Sequence, residues 1–226
     1  DDGEGSEWRE RMDTDTRLDI QIVMPVYNEA DCVESVIMEI YEEIAPRVQL
    51  EFIVCEDGSR DGTREILWKL SRKVPMKLIL GDQKKGYSLA VIDGLKASTA
   101  DYLLCLESDG QYSPGDFWDF YEHRQDHDIT IGWRRPRMDT FGRRLMSGCF
   151  GCLYRALFRS PVHDPSCAFM LVKRHVIDGV IGEMGLLMEG FQREFLARAL
   201  VKGFTIWEIP VHHRLRQSGG TKAFPL

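Results

Sequence analysis

Two carboxylates and an amide follow a short apolar run near the middle of the chain. The run is Tyr102–Cys105, and Glu107, Asp109 and Gln111 follow it at alternate positions. Alternate residues of an extended segment point to the same side. Oxygen donors on one side suit a hard divalent cation such as Mg²⁺ or Mn²⁺. The alternative is an ordinary solvated turn, so the position of this segment in the fold must decide between the two.

Apolar runs alternate with helical patterns from Leu18 onward. We predict strands at 18–24, 50–55, 76–80, 102–106 and 128–132, with a helix after each of the first three. Farther along, we predict helices at 141–158 and 189–202 and a strand at 205–211. Short apolar strands separated by helices are typical of βαβ units, so we predict an α/β fold with a mostly parallel central sheet flanked by helices.

Polar residues stand directly after three of these predicted strands, at 25–29, 56–57 and 107–111. Ligands of parallel sheets bind at the carboxyl ends of the strands. We therefore expect the three groups to meet at one edge of the sheet, which favours the metal site over the solvated turn.

Composition excludes several functional classes. The formal net charge is −7, whereas a surface that binds nucleic-acid backbones is basic, so we predict no nucleic-acid partner. Neither a GxGxxG nor a GxxxxGK[ST] motif occurs, which argues against dehydrogenase and P-loop folds. The sequence contains no apolar stretch of 18 residues, so we predict no membrane-spanning helix within it. We interpret the six cysteines as reduced thiols.

Charge is distributed unevenly along the chain. Residues 1–16 carry seven acids, and residues 132–160 carry seven arginines and one acid. We expect an acidic, flexible segment over 1–17 and a basic face that suits an anionic ligand. Residues 18–226 are predicted to form one domain, with a nucleotide-binding half at about 18–110 and an acceptor half at about 111–226.

Several motifs resemble the family 2 inverting glycosyltransferases of GT-A fold. These are PVYNE (25–29), EDGSRDGT (56–63), KKGYSLAVIDGL (84–95) and ESDGQ (107–111), the last in the place of that family's metal-binding DxD motif. The second half, with IGWRR (131–135), DPSCAFMLVKRHV (164–176) and RQSGGTK (216–222), resembles the polyprenyl-phosphate sugar transferases of that family. Two positions depart from the resemblance, since Glu107 stands where Asp is usual and Gly148 where Arg is common.

The resemblance implies roles for individual residues. The implied nucleotide-binding residues are Pro25, Tyr27, Asn28, Glu29, Asp57, Lys85, Glu107 and Ser108. The implied metal ligands are Glu107, Asp109 and Gln111. The implied catalytic residues are Asp109, Arg134, Arg144 and Glu194. The residues implied to contact the acceptor phosphate or the donor diphosphate are Ser147, Gln192, Arg216 and Lys222.

The activity implied by the resemblance is transfer of a sugar, with Mg²⁺ or Mn²⁺, from a GDP- or UDP-sugar to a polyprenyl or dolichyl phosphate. It implies a place at the cytoplasmic side of a membrane, peripheral or through segments absent from this chain. A lipid phosphate is already nucleophilic, so positioning and charge neutralisation can carry this reaction.

Two alternatives stay open from the sequence. A saccharide or protein hydroxyl acceptor would need a general base, for which Glu189, Glu194 and Asp164 are available. A non-catalytic module that binds nucleotide sugars is the other alternative. A nucleotidyltransferase would need a glycine-rich loop where PVYNE stands.

Overall fold

Strands and helices alternate through most of the chain. The computed structural model describes residues 18–135 and 141–216. The strands are β1 (Ile20–Val26), β2 (Leu50–Glu56), β3 (Met76–Leu80), β4 (Tyr102–Cys105), β5 (Ile129–Arg134), β6 (Met170–Lys173) and β7 (Ile206–Val211). The helices are α1 (Val33–Ile44), α2 (Thr63–Leu70), α3 (Tyr87–Ala97), α4 (Phe117–Glu122), α5 (Phe141–Phe158), α6 (Arg174–Val180) and α7 (Phe191–Val201), with short 3-10 turns at Pro114–Asp116 and Ile181–Glu183.

The seven strands form one sheet in the order β3-β2-β1-β4-β6-β5-β7. Strand β6 is antiparallel to its neighbours β4 and β5, and the other pairs are parallel. The predicted α/β class and mostly parallel sheet are confirmed. The predicted acidic segment at 1–17 lies outside the described residues.

Three elements were not predicted, namely β6, α4 and α6. Strand β6 is only four residues long and runs directly into α6 at Arg174. No turn residue separates the two, so its short apolar run carries no period that would distinguish strand from helix.

Burial explains why these segments form regular structure. All seven residues of β1 are buried, as expected for a central strand covered on both faces. Helix α1 buries one stripe, formed by Val33, Val36, Ile37, Ile40 and Ile44. Each such aliphatic side chain contributes about 1.5–3 kcal/mol when fully buried.

Helix α3 lies unusually close to the sheet at Gly94. A Cβ atom at this position would lie 2.5 Å from Cγ1 of Val23 and 2.8 Å from Sγ of Cys55. The absence of a side chain therefore lets α3 pack directly on β1 and β2. This contact fixes the start of α3 beside the carboxyl ends of those strands, where the candidate site lies.

Candidate active site

A cleft of ≈ 530 Å³ opens at the carboxyl ends of the parallel strands. Segments that follow β1, β2, β4, β5 and β7 border it, together with α3, α5 and the start of α7. Its lining combines carboxylates and cations with the apolar side chains of Met146 and Phe150.

Most of the residues implied by the resemblance meet in this cleft. Those that border it are Pro25, Tyr27, Glu29, Asp57, Glu107, Ser108, Asp109, Gln111, Arg134, Ser147, Gln192 and Arg216. Asn28, Lys85 and Glu194 do not belong to this lining among the described residues. Lys222 and the side chain of Arg144 lie outside the described part of the chain.

The loop after β1 is held against the loop after β2. Backbone N–H groups of Asn28 and Glu29 donate to the hydroxyls of Ser59 and Thr63, both at 2.9 Å. In return, the side-chain oxygen of Asn28 accepts the N–H of Arg60 at 2.9 Å. Asn28 adopts φ 54°, a left-handed conformation that Asn tolerates better than most residues. Its role in the structure is therefore to shape this loop.

Asp57 stabilises the start of the segment that leads into α3. Its Oδ1 accepts the backbone N–H of Lys85 at 2.9 Å, and its Oδ2 accepts that of Gly86 at 3.0 Å. The side chain of Lys85 instead forms an ion pair with Asp93. Asp57 thus joins β2 to the 84–87 segment, and Lys84 of that segment lies over the ring of Tyr27, 4.4 Å from its centroid.

The acidic residues after β4 form the floor of the cleft. The strand ends at Cys105 and the chain then turns, with Gly110 at φ 73°. The expectation of an extended segment from 107 to 111 was therefore wrong, yet all three side chains border the cleft. Turn contacts hold them, since Asp109 Oδ1 accepts the N–H of Gln111 at 3.1 Å.

Burial and mutual repulsion perturb both carboxylates. Desolvation, and then the charge of Asp109, raise the pKa of Glu107 to about 7, against the influence of Arg134 and Arg216. Burial also raises the pKa of Asp109, with Glu29 as a further cause. Desolvation is the largest cause of both shifts, and neighbouring negative charge adds to it. A bound cation would balance that negative charge.

Arg216 partly supplies that balance from the segment after β7. Its Nη2 donates to Oε1 of Glu29, and its Nη1 lies 3.5 Å from Oδ2 of Asp109. The guanidinium therefore bridges the loops that follow β1 and β4.

The donor set fits a magnesium-type ion. Such an ion uses one or two protein carboxylates, keeps several waters and completes its shell with substrate phosphates. Glu107 and Asp109 border an open cavity, and each raises the local demand for a positive partner because burial disfavours its charged form. Within 18–135 and 141–216, however, no group of three or more His, Cys, Asp or Glu side chains is arranged to hold a metal on its own.

Arg134 approaches the cleft from the end of β5. Its Nε and Nη2 donate to the two oxygens of Asp164 at 2.7 and 2.9 Å. Burial alone would lower the pKa of Arg134. The nearby Tyr112 and Asp164 outweigh this effect, so the pKa of the guanidinium lies above its usual value. Arg134 is thus a fixed cation at any working pH, and Asp164 is committed to it rather than free to act as a base.

Glu194 is oriented away from the cleft. Its carboxylate accepts the backbone N–H groups of Leu186 and Leu187 at 3.3 and 3.0 Å, and it pairs with Arg198 at 2.9 Å. Although burial opposes the shift, these partners lower the pKa of Glu194. This placement favours a structural role over the catalytic one implied by the resemblance.

Several cleft residues were missed by the site prediction. They are Lys84, Tyr87, Met146, Phe150, Ser166, Arg193 and His213, together with Glu189, which was considered only as a base. The KKGYSLAVIDGL motif contained the signal for Lys84 and Tyr87. His213 borders the cleft, and its backbone forms an isolated antiparallel β-bridge with Tyr112.

Helix α5 exposes much of its apolar surface beside the cleft. Leu145, Met146, Leu153 and Leu157 are all more than half exposed, and the last is 68% exposed. Leu186 and Met188, before α7, are also strongly exposed. The opposite side of α5 packs through Tyr154, whose hydroxyl donates to the carbonyl of Arg193 at 2.9 Å. No helix of the described residues has the length and apolar character to cross a membrane.

A family model described as Glycosyl transferase family 2 matches residues 21–180. This range contains β2 to β6, all of β1 except Ile20, and most of the cleft residues. The chain belongs to glycosyl transferase family 2. Its fold is accordingly the GT-A fold that the sequence motifs implied.

Similar proteins agree with this family membership. The dolichol-phosphate mannosyltransferase of Pyrococcus furiosus is 28% identical over 91% of this chain. The chain spans 59% of the length of that relative.

Two solved structures share the fold at low sequence identity. Glucosyl-3-phosphoglycerate synthase from Mycobacterium tuberculosis, in complex with Mn²⁺, UDP and phosphoglyceric acid, has a TM-score of 0.70 and 19% identity, covering 90% of this chain and 72% of its own. A mannosyltransferase from Pyrobaculum calidifontis, in complex with GDP-Man and Mn²⁺, has a TM-score of 0.65 and 15% identity, covering 95% and 65%.

Proposed function

We propose that this chain transfers a sugar, with inversion, from a GDP- or UDP-sugar to a polyprenyl or dolichyl phosphate. The observation that carries the proposal is one cleft with an acidic floor, guanidinium groups above it and an exposed apolar helix beside it. The relative named dolichol-phosphate mannosyltransferase supports the lipid phosphate as acceptor.

The donor would lie on the side of the cleft formed by the loops after β1 and β2. Pro25, Tyr27, Glu29 and Asp57 border that side. These residues would bind the base and ribose. The hydrogen bonds that join the two loops reduce the cost of ordering them when the nucleotide binds.

Mg²⁺ or Mn²⁺ would be held by Glu107 and Asp109, with Gln111 nearby. When bound, this ion would offset the charge that develops on the nucleoside diphosphate leaving group. The raised pKa of Glu107 supports this assignment, because burial and the charge of Asp109 disfavour its charged form and a bound cation would offset both effects.

The acceptor phosphate would approach from the side of α5. Arg134 and Ser147 border this part of the cleft and would orient the phosphate, while Met146 and Phe150 would contact the first isoprene units. The phosphate oxygen is already anionic, so no protein base is needed. Roles for Arg144 and Lys222 in binding either phosphate group remain predictions from the resemblance.

Contact with the cytoplasmic face of a membrane belongs to this proposal. The exposed apolar residues of α5 and the 186–188 segment would lie at the lipid surface, as an interfacial helix does. Replacing Leu153 and Leu157 by Asp should reduce co-sedimentation with vesicles that contain anionic lipid. Val201→Asp is a matched control, since Val201 is 80% exposed but lies at the far end of α7. Equal loss in both variants would contradict the assignment.

The decisive experiment offers GDP- and UDP-sugars with Mn²⁺ and either polyprenyl phosphate or neutral saccharides. Release of nucleoside diphosphate only with the lipid phosphate is the expected result. Equal release with neutral saccharides would exclude the lipid-phosphate specificity. Metal-dependent binding of nucleotide sugars without turnover would instead indicate a binding module.

A hydroxyl acceptor is the second candidate, and Glu189 is the observation that favours it. Glu189 borders the cleft, and burial raises its pKa, as suits a general base. Glu189→Gln separates the two hypotheses. If the acceptor is a lipid phosphate, kcat should change by less than about tenfold, whereas loss of a general base costs roughly 100- to 10,000-fold.

A further inference from the structure

A network of hydrogen bonds connects Arg134 to strand β7. The guanidinium of Arg134 is held by two parallel bonds to Asp164, and its Nη2 also approaches the Ser166 hydroxyl at 3.3 Å. Two parallel bonds fix the plane of a guanidinium as well as its position. The direction in which Arg134 enters the cleft therefore depends on where Asp164 lies.

Asp164 is in turn held by Glu208. Oε1 of Glu208 accepts the backbone N–H groups of both His163 and Asp164, each at 2.8 Å. Its Oε2 bonds Nδ1 of the His163 ring at 2.7 Å. The Glu208 side chain is only 7% exposed and that of Asp164 only 5%. One carboxylate thus determines the backbone conformation of the turn that carries Asp164.

The strand register explains how Glu208 reaches this turn. In the β5–β7 pair, Glu208 lies opposite Ile131 and Val211 opposite Arg134. Glu208 therefore lies beside Ile131, three residues before Arg134 at the end of β5. His163 is also fixed from the side of β5, because its ring stacks on Trp133 with centroids 4.5 Å apart.

We propose that Glu208 is a positioning residue that orients Arg134 through the backbone turn at 163–164. The proposal rests on the function proposed above, in which Arg134 binds a phosphate group of the substrate. Glu208 is not part of the described cleft lining, so it acts on the substrate only through Asp164 and Arg134. Without its two accepted N–H groups, the turn relaxes and the guanidinium loses its fixed direction. Misplacement of a charged group by an ångström is enough to reduce turnover strongly.

Asp128 provides a matched control at the other end of the same strand pair. Its carboxylate accepts the N–H and hydroxyl of Thr205 at 2.8 and 2.7 Å and bonds the His175 ring at 3.0 Å. Asp128 therefore joins a histidine and a backbone amide as Glu208 does, but far from the cleft.

The test compares Glu208→Ala, Glu208→Gln and Asp128→Ala in transfer to polyprenyl phosphate and in thermal unfolding. We expect Glu208→Ala to lower kcat/KM on the order of tenfold or more. Glu208→Gln should recover most of the activity, because its amide oxygen can still accept both N–H groups. Asp128→Ala should lower the melting temperature similarly, yet change kcat/KM by less than about twofold below that temperature.

A double-mutant cycle with Arg134→Ala completes the test. Glu208→Ala should have no further effect in the Arg134→Ala background, because a positioning residue acts only through the group that it positions. Additive effects, or equal kinetic losses in the Glu208 and Asp128 variants, would overturn the inference. Absence of transfer by the unsubstituted protein would instead count against the proposed function, so the two failures are distinguishable.

Discussion

Arg216 places a positive charge where the structure gathers negative ones. Its guanidinium contacts Glu29 and lies 3.5 Å from an oxygen of Asp109. A divalent cation held by Asp109 would be repelled by this guanidinium, and two charges at about 4 Å interact by roughly 1–4 kcal/mol at the dielectric of a protein surface.

Arg216→Gln should therefore tighten Mn²⁺ binding by roughly tenfold in the absence of nucleotide. The same variant should weaken binding of the nucleoside diphosphate, which loses a cationic contact. Calorimetric titration with Mn²⁺ alone, then with GDP or UDP, measures both effects. Arg216→Lys retains the charge and serves as the control. An unchanged or weaker Mn²⁺ affinity in the Gln variant would exclude this competition.

Asp109→Asn tests the proposed metal ligand directly. The substitution keeps the size of the side chain, and its oxygen can still accept the Gln111 N–H, so folding should be retained. It removes one negative charge from the cleft floor and should weaken Mn²⁺ binding by more than the roughly 10- to 100-fold typical of changes behind the ligands. Transfer should fall below detection. Retained turnover at saturating donor would show that the metal is held elsewhere.

The sequence predicted many of the residues that line the cleft but could not assign a role to each of them. Asp57 and Glu107 follow strands, and strand ends are readable from apolar runs. Glu194 has the same chemistry but faces the 186–187 backbone. Only helix orientation distinguishes these cases, and a single sequence does not give the rotation of a helix about its axis.

Helix α7 depends on Glu194 for its connection to the preceding segment. Glu194→Gln should lower the free energy of unfolding by about 2 kcal/mol at neutral pH, because hydrogen bonds to a charged acceptor are lost. Glu183→Gln, at an exposed pair with Lys202, should have a much smaller effect on the free energy of unfolding. The kcat of the Glu194→Gln variant should be nearly unchanged. A collapse of kcat without loss of stability would restore the catalytic assignment.

The stability difference at Glu194 should depend on pH. Its folded pKa lies below the ordinary value of 4.5, so its contribution is fully present above that value. It is lost as the pH falls through the lower folded pKa. Chemical denaturation of the unsubstituted protein and of Glu194→Gln across acidic pH should show their free energies of unfolding converging as the pH falls. A gap that widens as the pH falls would have the wrong sign for a depressed carboxylate.

Helix α3 cannot move away from the sheet without loss of packing at Gly94. Gly94→Ala would place Cβ 2.5 Å from Val23 Cγ1, and overpacking of this kind costs about 1–3 kcal/mol. This outweighs the better helix propensity of alanine, worth about 1 kcal/mol. At Gly148 in α5, an added Cβ would meet no atom within 4 Å outside the helix's own backbone and its chain neighbours. Gly148→Ala should therefore be neutral or stabilising in thermal unfolding. Equal effects at both positions would contradict the packing argument.

The long or strongly patterned elements were predicted closely. Helix α5 and strand β3 have the predicted bounds because turn or polar residues flank a clear period. Strand β6 was missed, and its antiparallel direction depends on hydrogen bonds with β4 and β5. Those pairings join residues far apart in the chain, which local patterns do not encode.

The whole molecule separates its cysteines into two classes. Cys149 and Cys152 are exposed on α5, and the other four are buried. Burial raises the pKa of Cys55, Cys105 and Cys167 to about 12, so their reactive thiolate forms are scarce. Iodoacetamide at pH 8 should label two cysteines in the native protein and all six in denaturant, as counted by mass spectrometry. Rapid native labelling of Cys55 would mean that the sheet opens.

The contact between Arg216 and Glu29 also sets the order in which the molecule can be completed during synthesis. These residues are 187 positions apart in the chain. A nascent chain can pair β1, β2 and β3 early, because those contacts are sequential, but Arg216 is synthesised only after all seven described strands. Contacts of such long separation form late in folding. The cleft carboxylates therefore lack the Arg216 contact until that residue has left the ribosome, and the nucleotide-sugar binding proposed above is expected to begin only after that point.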